Sequence, residues 1–291
     1  MAIKKLVLFL FIVVAFGAGV YFKNDVLRFY NNFDKQVKNF QKTDIGSVIT
    51  QAGKQLLTPP PLNIGGFMKP VVLLQSKIIT ETNLQRQGNG NLPALAENIK
   101  LDEAAAAKAN DILLKQYFEH VSPTGIDPGK LVQNYGYEYI LAGENLILGN
   151  FSSEKEVLQY WMNSPGHRAN ILNNRYTEMG AAIVKGNYKG DTVWIGVQEF
   201  GLPLSTCAQP SVELKNQIDF DKTKLDSLLS QINQEKNQID GADQRSSIYN
   251  QMIDDYNQII AQYNSLAETL KGVIATYNNQ VNIFNGCVNG K

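Results

Sequence analysis

Three side chains in this sequence stand out for the chemistry they could do: two histidines and a glutamate, each in a segment rich in turn-forming residues. The chain has only two histidines, His120 and His167. His120 lies within residues 117–125, and His167 lies within residues 161–172, where Ser-Pro-Gly interrupts a helical run. Glu144 stands between them in a Gly-Glu-Asn tripeptide, within a β-rich run.

This set of groups suits two kinds of chemistry. Two imidazoles and a carboxylate are a sufficient ligand set for Zn²⁺, with a position left open for water. The same groups could act as a general acid and base, because histidine titrates near neutral pH. A hydrogen-bonded polar cluster that only orders a groove is the third interpretation. The sequence contains no serine elbow and no HExxH motif, so no residue is assigned a catalytic role.

The segments YFEHVSPTG, GEN and WMNSPGHRANIL occur in this order and are followed by two predicted strands. Together they resemble the CAP superfamily, which includes cysteine-rich secretory proteins, antigen 5 and pathogenesis-related proteins, and in particular its bacterial branch. The resemblance covers residues 70–203. It implies an α+β fold, in which a three-layer α-β-α sandwich holds a groove with two histidines and acidic side chains.

The resemblance also implies which residues form the groove. These are His120, Glu144, His167, Asn145 and Ser122. The first three are the expected ligands if a divalent metal such as zinc binds, and no other cofactor is implied. The hydroxyl and amide side chains either contact a ligand or brace the loops. The family's second acidic position would fall near residues 163–164, where this sequence has no carboxylate.

Residues 1–23 are predicted to form a membrane anchor. An uncharged, largely apolar run extends from Leu6 to Phe22 after two lysines. This run is longer than a signal-peptide core of ~7–15 residues and meets the ~17 residues needed to span a bilayer. A cleaved signal peptide, cut near residues 15–17, is the alternative. More basic residues follow the run than precede it, so an extracytoplasmic body is inferred from the family's secreted context and from the cysteines.

Residues 24–69 are predicted to connect this anchor to the domain. Apolar residues from Val26 to Phe40 recur at helical spacing, which predicts an amphipathic helix beside the membrane over residues 24–57. This helix would pack on the next domain or lie on lipid headgroups. The prolines Pro59–Pro61 predict a stiff, extended spacer. The protein is therefore expected at the cell membrane as a single-pass protein, or secreted if the N-terminal segment is cleaved.

Periodicity within residues 70–203 predicts a mixture of helices and strands. The last predicted strand is apolar on both faces, which suits a sheet covered by helices on both sides. Helices are predicted over residues 71–86, 102–118, 127–135 and about 153–162. Strands are predicted over residues 137–148, 178–185 and 192–200.

Residues 211–287 are predicted to form an antiparallel helical hairpin, or coiled coil. Apolar and aromatic residues from Tyr249 to Phe284 recur in steps of three and four, as in a heptad seam. A second, shorter seam runs from Leu214 to Ile239. Turn-forming residues around Gly241 separate the two. Two helices that oligomerise through these seams are the alternative.

The only two cysteines, Cys207 and Cys287, flank this helical region. A hairpin that turns near Gly241 has arms of similar length, because an α-helix rises ~1.5 Å per residue. Its two ends then meet, and the cysteines are predicted to form a disulfide, a bond that persists outside the cytoplasm. Unpaired thiols and links between separate chains are the alternatives.

The composition limits the classes of binding partner that the protein is expected to have. The formal net charge is +0, so nothing in the sequence favours nucleic acid. The predicted partners are the membrane, through the N-terminal segment, and an unknown small molecule, lipid or protein ligand. We predict a binding or interaction module displayed outside the cytoplasm. The alternatives are a metal-dependent hydrolase that uses His120, Glu144 and His167, and a structural spacer that acts through the coiled coil.

Overall fold

The computed structural model describes residues 54–67 and 69–290. The predicted membrane anchor lies outside these residues, as does the predicted juxtamembrane helix over residues 24–57 apart from its last four residues. Within the described part of the chain, no helix is both long enough and apolar enough to cross a membrane. This part consists of an α+β domain, residues 55–203, followed by two long helices, which confirms the expected fold class.

Every helix and strand predicted between residues 70 and 203 is present, with ends shifted by a few residues. The strands are β1 (Gln55–Leu57), β2 (Leu62–Gly65), β3 (Ala96–Glu97), β4 (Tyr139–Gly149), β5 (Glu178–Tyr188) and β6 (Asp191–Pro203). The helices of the domain are α1 (Gln75–Gly88), α2 (Ile99–Lys115), α3 (Pro128–Asn134), α4 (Glu154–Asn163) and α5 (Pro165–Ile171). The last two helices are α6 (Val212–Gly241) and α7 (Tyr249–Val288).

The strands form one mixed sheet. Its centre is antiparallel, with β6 between β4 and β5. At one edge β3 pairs in parallel with β5, and at the other edge β1 and β2 both pair in parallel with β4. In the central register Glu144 of β4 lies directly opposite Glu199 of β6. Two acidic side chains are therefore neighbours on the same face of the sheet.

Helices cover both faces of this sheet, as the resemblance implies. On one face, side chains of α1, α4 and α5 pack with Leu141 and Ile147 of β4, and Trp161 is fully buried there. On the other face, the small side chains of α2 pack with Leu146 and Leu148. Burial of each large apolar side chain contributes about 1.5–3 kcal/mol to stability. This packing determines on which face of the sheet each side chain of β4 lies.

Local signals explain where the helices near the site begin. The Ser153 hydroxyl accepts from the Glu156 backbone N–H and caps α4. The Ser-Pro-Gly that was expected only to break a helix also starts a new one, because Pro165 occupies the first turn of α5, where its missing N–H costs nothing. His167 therefore lies in the first turn of a short helix rather than in a loop.

The structure corrects the predicted linker. In residues 55–65, which we call the edge segment, residues 55–57 were expected to end the juxtamembrane helix, and the rest to belong to an extended linker. They instead form β1 and β2, so the domain begins about fifteen residues earlier than the sequence indicated. The physical reason is the free edge of β4, whose main-chain groups gain hydrogen-bond partners from any extended segment that lies beside them. Periodicity does not reveal such pairing, because most of its hydrogen bonds are made by the main chain.

The two C-terminal helices form an antiparallel hairpin. The Ser211 side chain caps α6, and the Ser211 backbone N–H donates to Gln280 Oε1 of α7 at 2.8 Å. Apolar residues of both helices are buried along the hairpin, among them Ile218 and Leu225 of α6 and Leu270 of α7. Cys207 and Cys287 form the predicted disulfide, with Cα atoms 5.8 Å apart. The bond closes the hairpin at the end opposite its turn.

We predict that this disulfide supplies much of the stability of the hairpin. The cysteines are 80 residues apart, and closing a loop of that length stabilises the folded state by about 4 kcal/mol in the chain-entropy model. The double substitution Cys207→Ser and Cys287→Ser should then speed hydrogen exchange of α6 and α7 amides by up to about a thousandfold. Amides of β4 and β6 serve as the internal control. Equal protection of the hairpin in both proteins would contradict this prediction.

Candidate functional site

The candidate site lies at the outer edge of β4, where its pairing with the edge segment is interrupted. β1 pairs with residues 141–143 and β2 with residues 147–149, so residues 144–146 have no partner strand on that edge among the described residues. Successive side chains of a strand point to opposite faces. Glu144 therefore lies on the α2 face, and Asn145 lies on the face covered by α1, α4 and α5.

The imidazole ring of His120 lies at this gap, and both of its nitrogens make contacts there. Its Nδ1 lies 2.5 Å from Glu144 Oε1, and its Nε2 lies 2.5 Å from the carbonyl oxygen of Pro59 in the edge segment. Since a carbonyl oxygen only accepts, Nε2 carries the hydrogen and donates it to Pro59. Glu144 is fully buried and holds the ring from the other side. The arrangement presents one directed N–H to a carbonyl group in the groove.

A lysine that sequence reasoning missed positions the loop that carries His120. Lys108 of α2 is 3% exposed, and its Nζ donates to the carbonyl oxygens of Glu119 at 2.8 Å and His120 at 2.5 Å. Burial lowers the pKa of Lys108, while the attraction of Glu144 and Glu199 opposes this shift. No motif marks this residue, since a lysine within an alanine-rich helix is typical of an exposed face.

Glu199 is the second missed residue, and it corrects the expectation that the site lacks a second carboxylate. It lies on β6 opposite Glu144 and is 1% exposed. Burial raises the pKa of Glu199 well above its usual range, and the neighbouring Glu144 raises it further, against the attraction of Lys108. Neither Glu199 oxygen nor Glu144 Oε2 has an N–H or O–H partner among the described groups. A proton retained on Glu199 therefore lets this carboxyl donate toward Glu144. One feature of the sequence could have revealed Glu199: it is a charged residue within a strand that is otherwise apolar on both faces.

His167 reaches the site from α5 on the opposite side of the gap. Its Nδ1 lies 2.7 Å from the Ser164 hydroxyl, while its Nε2 makes no hydrogen bond of normal geometry with the described residues. Burial and, to a smaller extent, the nearby His120 lower the pKa of His167 to about 4, against the opposing effect of the Leu146 backbone. His167 is therefore neutral at physiological pH.

The two remaining predicted residues have structural contacts. Asn145 donates from its amide to the His167 carbonyl oxygen at 3.2 Å and to Gln198 Oε1 at 3.0 Å, and its Oδ1 accepts from Asn170. It thus braces α5 against β4 beneath the groove. Ser122 lies outside this network, because its hydroxyl contacts Thr124 and accepts from the Ile126 backbone N–H within its own loop. The expectation that Ser122 lines the groove is not supported by its contacts.

In this conformation, the three predicted ligands do not form a preformed metal-binding site. Among the described residues, no group of three His, Cys, Asp or Glu side chains is placed to hold a metal ion. His120 directs one nitrogen at Glu144 and the other at Pro59, so neither is free for a metal while the edge segment is in place. Zinc binding by His120, Glu144 and His167 stays a prediction.

Comparison with known proteins identifies the α+β domain. Residues 80–200 match the family model described as CAP, the cysteine-rich secretory protein family. The chain carries a CAP domain. The match spans all five helices around the site except the first residues of α1, together with β4, β5 and most of β6. The resemblance to the CAP superfamily that the three motifs indicated is thereby confirmed.

Two curated relatives come from Bacillus subtilis. The uncharacterized protein YkwD is 40% identical over 128 residues, which cover 44% of this chain and 46% of YkwD. The uncharacterized membrane protein YlbC is 26% identical over 134 residues, which cover 46% of this chain and 38% of YlbC. The matched region spans less than half the length of either relative. The similarity therefore concerns the CAP domain, and the rest of each protein has no counterpart in the alignment.

Among solved structures, an extracellular protein containing an SCP domain from Bacillus anthracis is 32% identical to this chain. The TM-score is 0.37, and the match covers 44% of this chain and 39% of that protein. An outer surface protein from Borrelia burgdorferi is 23% identical, with a TM-score of 0.40 and coverage of 44% of this chain and 91% of that protein.

The low pKa of His167 predicts a pH-dependent contribution to stability. The unfolded chain binds a proton at this histidine below its ordinary value of 6.5, whereas the folded CAP domain binds it only below about 4. Stability is therefore lost as pH falls from about 6.5 to about 4, by roughly 3 kcal/mol, because each pKa unit corresponds to about 1.4 kcal/mol.

The test compares His167→Asn with the parent protein in urea unfolding at several pH values between 4 and 7. The variant should differ from the parent by an amount that shrinks as the pH falls, since only the parent loses this contribution. Glu199 and the other titrating groups act in both proteins and cancel in the difference. A difference that stays constant across this pH range would contradict the assignment.

Proposed function

We propose that the protein is an extracytoplasmic binding module whose CAP domain holds a ligand in the His120–Glu144–His167 groove, tethered to the membrane by its N-terminal segment. The observation that carries the proposal is the directed Nε2–H of His120, 2.5 Å from a carbonyl oxygen. A buried carboxylate fixes this ring at Nδ1, so the donor is preorganised for a carbonyl oxygen of the ligand.

The groups around this donor support binding over hydrolysis. The Ser122 hydroxyl is engaged within its own loop. The Ser164 hydroxyl contacts His167, but a histidine with a pKa of about 4 is a weak general base at neutral pH. Among the described residues, no third side chain hydrogen-bonds the other ring nitrogen of His167 to orient it, as a catalytic triad requires. The arrangement holds polar groups in place and does not present an activated nucleophile.

The extracytoplasmic placement has separate support. The Cys207–Cys287 disulfide is a bond that persists in oxidising compartments. The relative YlbC of Bacillus subtilis is described as a membrane protein. The tether itself is proposed from the uncharged run Leu6–Phe22, with a cleaved signal peptide as the alternative.

The binding function predicts a ligand whose retention depends on His120. The full chain, purified from membranes of its host in mild detergent, should carry a compound class, detected by untargeted mass spectrometry, that is depleted at least tenfold in His120→Gln. The matched control is Glu119→Gln, since Glu119 adjoins His120 in sequence but its side chain is exposed. Equal retention of every compound by His120→Gln and by the parent would overturn the proposal.

The second candidate is a hydrolase, which the 2.7 Å contact between Ser164 and His167 favours. It predicts ester or peptide hydrolysis that is lost in Ser164→Ala, with zinc required if the metal-dependent form is right. Zinc should then raise the melting temperature of the parent, but not that of a variant with both histidines replaced by alanine. We expect neither turnover nor a zinc-dependent shift. Turnover abolished in Ser164→Ala would replace the binding proposal with the enzymatic one.

A further inference from the structure

The edge segment contacts the CAP domain in the way a bound peptide does. None of its residues from Gln55 to Gly65 is fully buried, whereas all eleven residues of β4 beside it are buried. Its two short strands add to β4 in parallel through main-chain pairing, Leu56 opposite Ala142 and Asn63 opposite Leu148. Strand addition to a free sheet edge is a common mode of peptide recognition, in which main-chain hydrogen bonds supply affinity.

The middle of the edge segment matches the gap in β4. Residues 58–61 cross the three residues of β4 that have no described partner on this edge. Prolines suit this position because they have no N–H to donate to a ladder. Two protein side chains bind main-chain carbonyl groups here: His120 donates to the Pro59 oxygen at 2.5 Å, and Asn170 donates to the oxygen of Leu57, directly before this stretch, at 3.1 Å.

The groove is also shaped to admit a proline ring. Gly166, in the first turn of α5, lies so close to the edge segment that a Cβ at this position would be 2.6 Å from Pro59 Cβ. Any side chain larger than hydrogen there would collide with the ring or displace it. The edge segment contains no charged residue, and its side chains Leu56, Leu62 and Ile64 pack against the apolar core.

We propose that this groove is a receptor for an extended, uncharged, proline-containing segment of another protein, and that residues 55–65 occupy it in cis and compete with that partner. The inference rests on the proposed binding function and names its ligand class. The partner runs parallel to β4, places consecutive prolines across residues 144–146 and gives one carbonyl oxygen to His120. Aliphatic side chains flank its prolines, as Leu57 and Leu62 do in the edge segment. Release of the edge segment precedes or accompanies its binding.

The linkage after β2 gives the edge segment a route to leave. Gly65 and Gly66 both have positive φ, at 64° and 94°, and Phe67 is 94% exposed. Cleavage after Phe67 would convert the edge segment from a tethered to a free occupant without touching β4. A tethered occupant competes at an effective concentration of about millimolar, so cutting the chain should greatly favour exchange with added peptide.

The test uses the full chain with a protease recognition sequence inserted after Phe67. A fluorescent peptide of residues 54–66 is added to cut and uncut protein, and binding is measured by fluorescence anisotropy. We expect the cut protein to bind the peptide at least tenfold more tightly than the uncut protein. Replacing the three prolines of the peptide by alanine, or His120 by glutamine in the cut protein, should each weaken binding about tenfold. The exposed neighbour change Glu119→Gln should leave binding unchanged.

Three outcomes would overturn the proposal. The cut chain could keep a native circular-dichroism spectrum yet bind no peptide, or it could unfold once the edge segment departs, which would make that segment an integral strand of the fold. The uncut chain could instead form dimers that cutting dissolves, which would make a second copy the occupant. If no peptide binds while a co-purified ligand still depends on His120, the binding function stands and only the ligand class is wrong.

Discussion

The structure around the groove depends on the burial of two carboxyl groups side by side. Glu144 and Glu199 face each other across β4 and β6 with almost no solvent exposure. Two adjacent buried negative charges would be strongly unfavourable, so this pair must be neutralised by a proton and by nearby cations or donors. Lys108 and His120 are the groups that meet this requirement. Lys108 also holds the main chain of the His120 loop, and the neutralisation of the acids is thus coupled to the position of the imidazole.

The sequence was sufficient for the elements that bury apolar surface and for the residues in distinctive motifs. Amphipathic periodicity located the helices and strands of residues 70–203 to within a few residues, because burial of one face determines that period. The hairpin followed from a heptad pattern, and the disulfide from the matching lengths of its arms. Glu144, His120 and His167 were recognisable because the three motifs that contain them resemble those of the CAP superfamily.

The residues that sequence reasoning missed act through partners far away in the chain. The role of Glu199 can be recognised only once the register of β6 places it opposite Glu144. The role of Lys108 can be recognised only once α2 is packed over both acids. The edge segment was interpreted as a spacer because three prolines are typical of one, while its pairing with β4 depends on the main chain. Ser122 is the converse case, since it lies two residues from His120 in sequence, yet its hydroxyl hydrogen-bonds within its own loop.

The order of the edge segment along the chain has a mechanical consequence. Gln55, at the start of β1, is the first paired residue of the described chain, and the Pro59 contact with His120 comes before β2. A pulling force transmitted along the chain from the N-terminal side therefore loads β1 first and the His120 contact second, while β2 still holds Leu62–Gly65 to β4. Tension from that side would therefore act on the contacts that line the groove before it acts on the central strands of the domain.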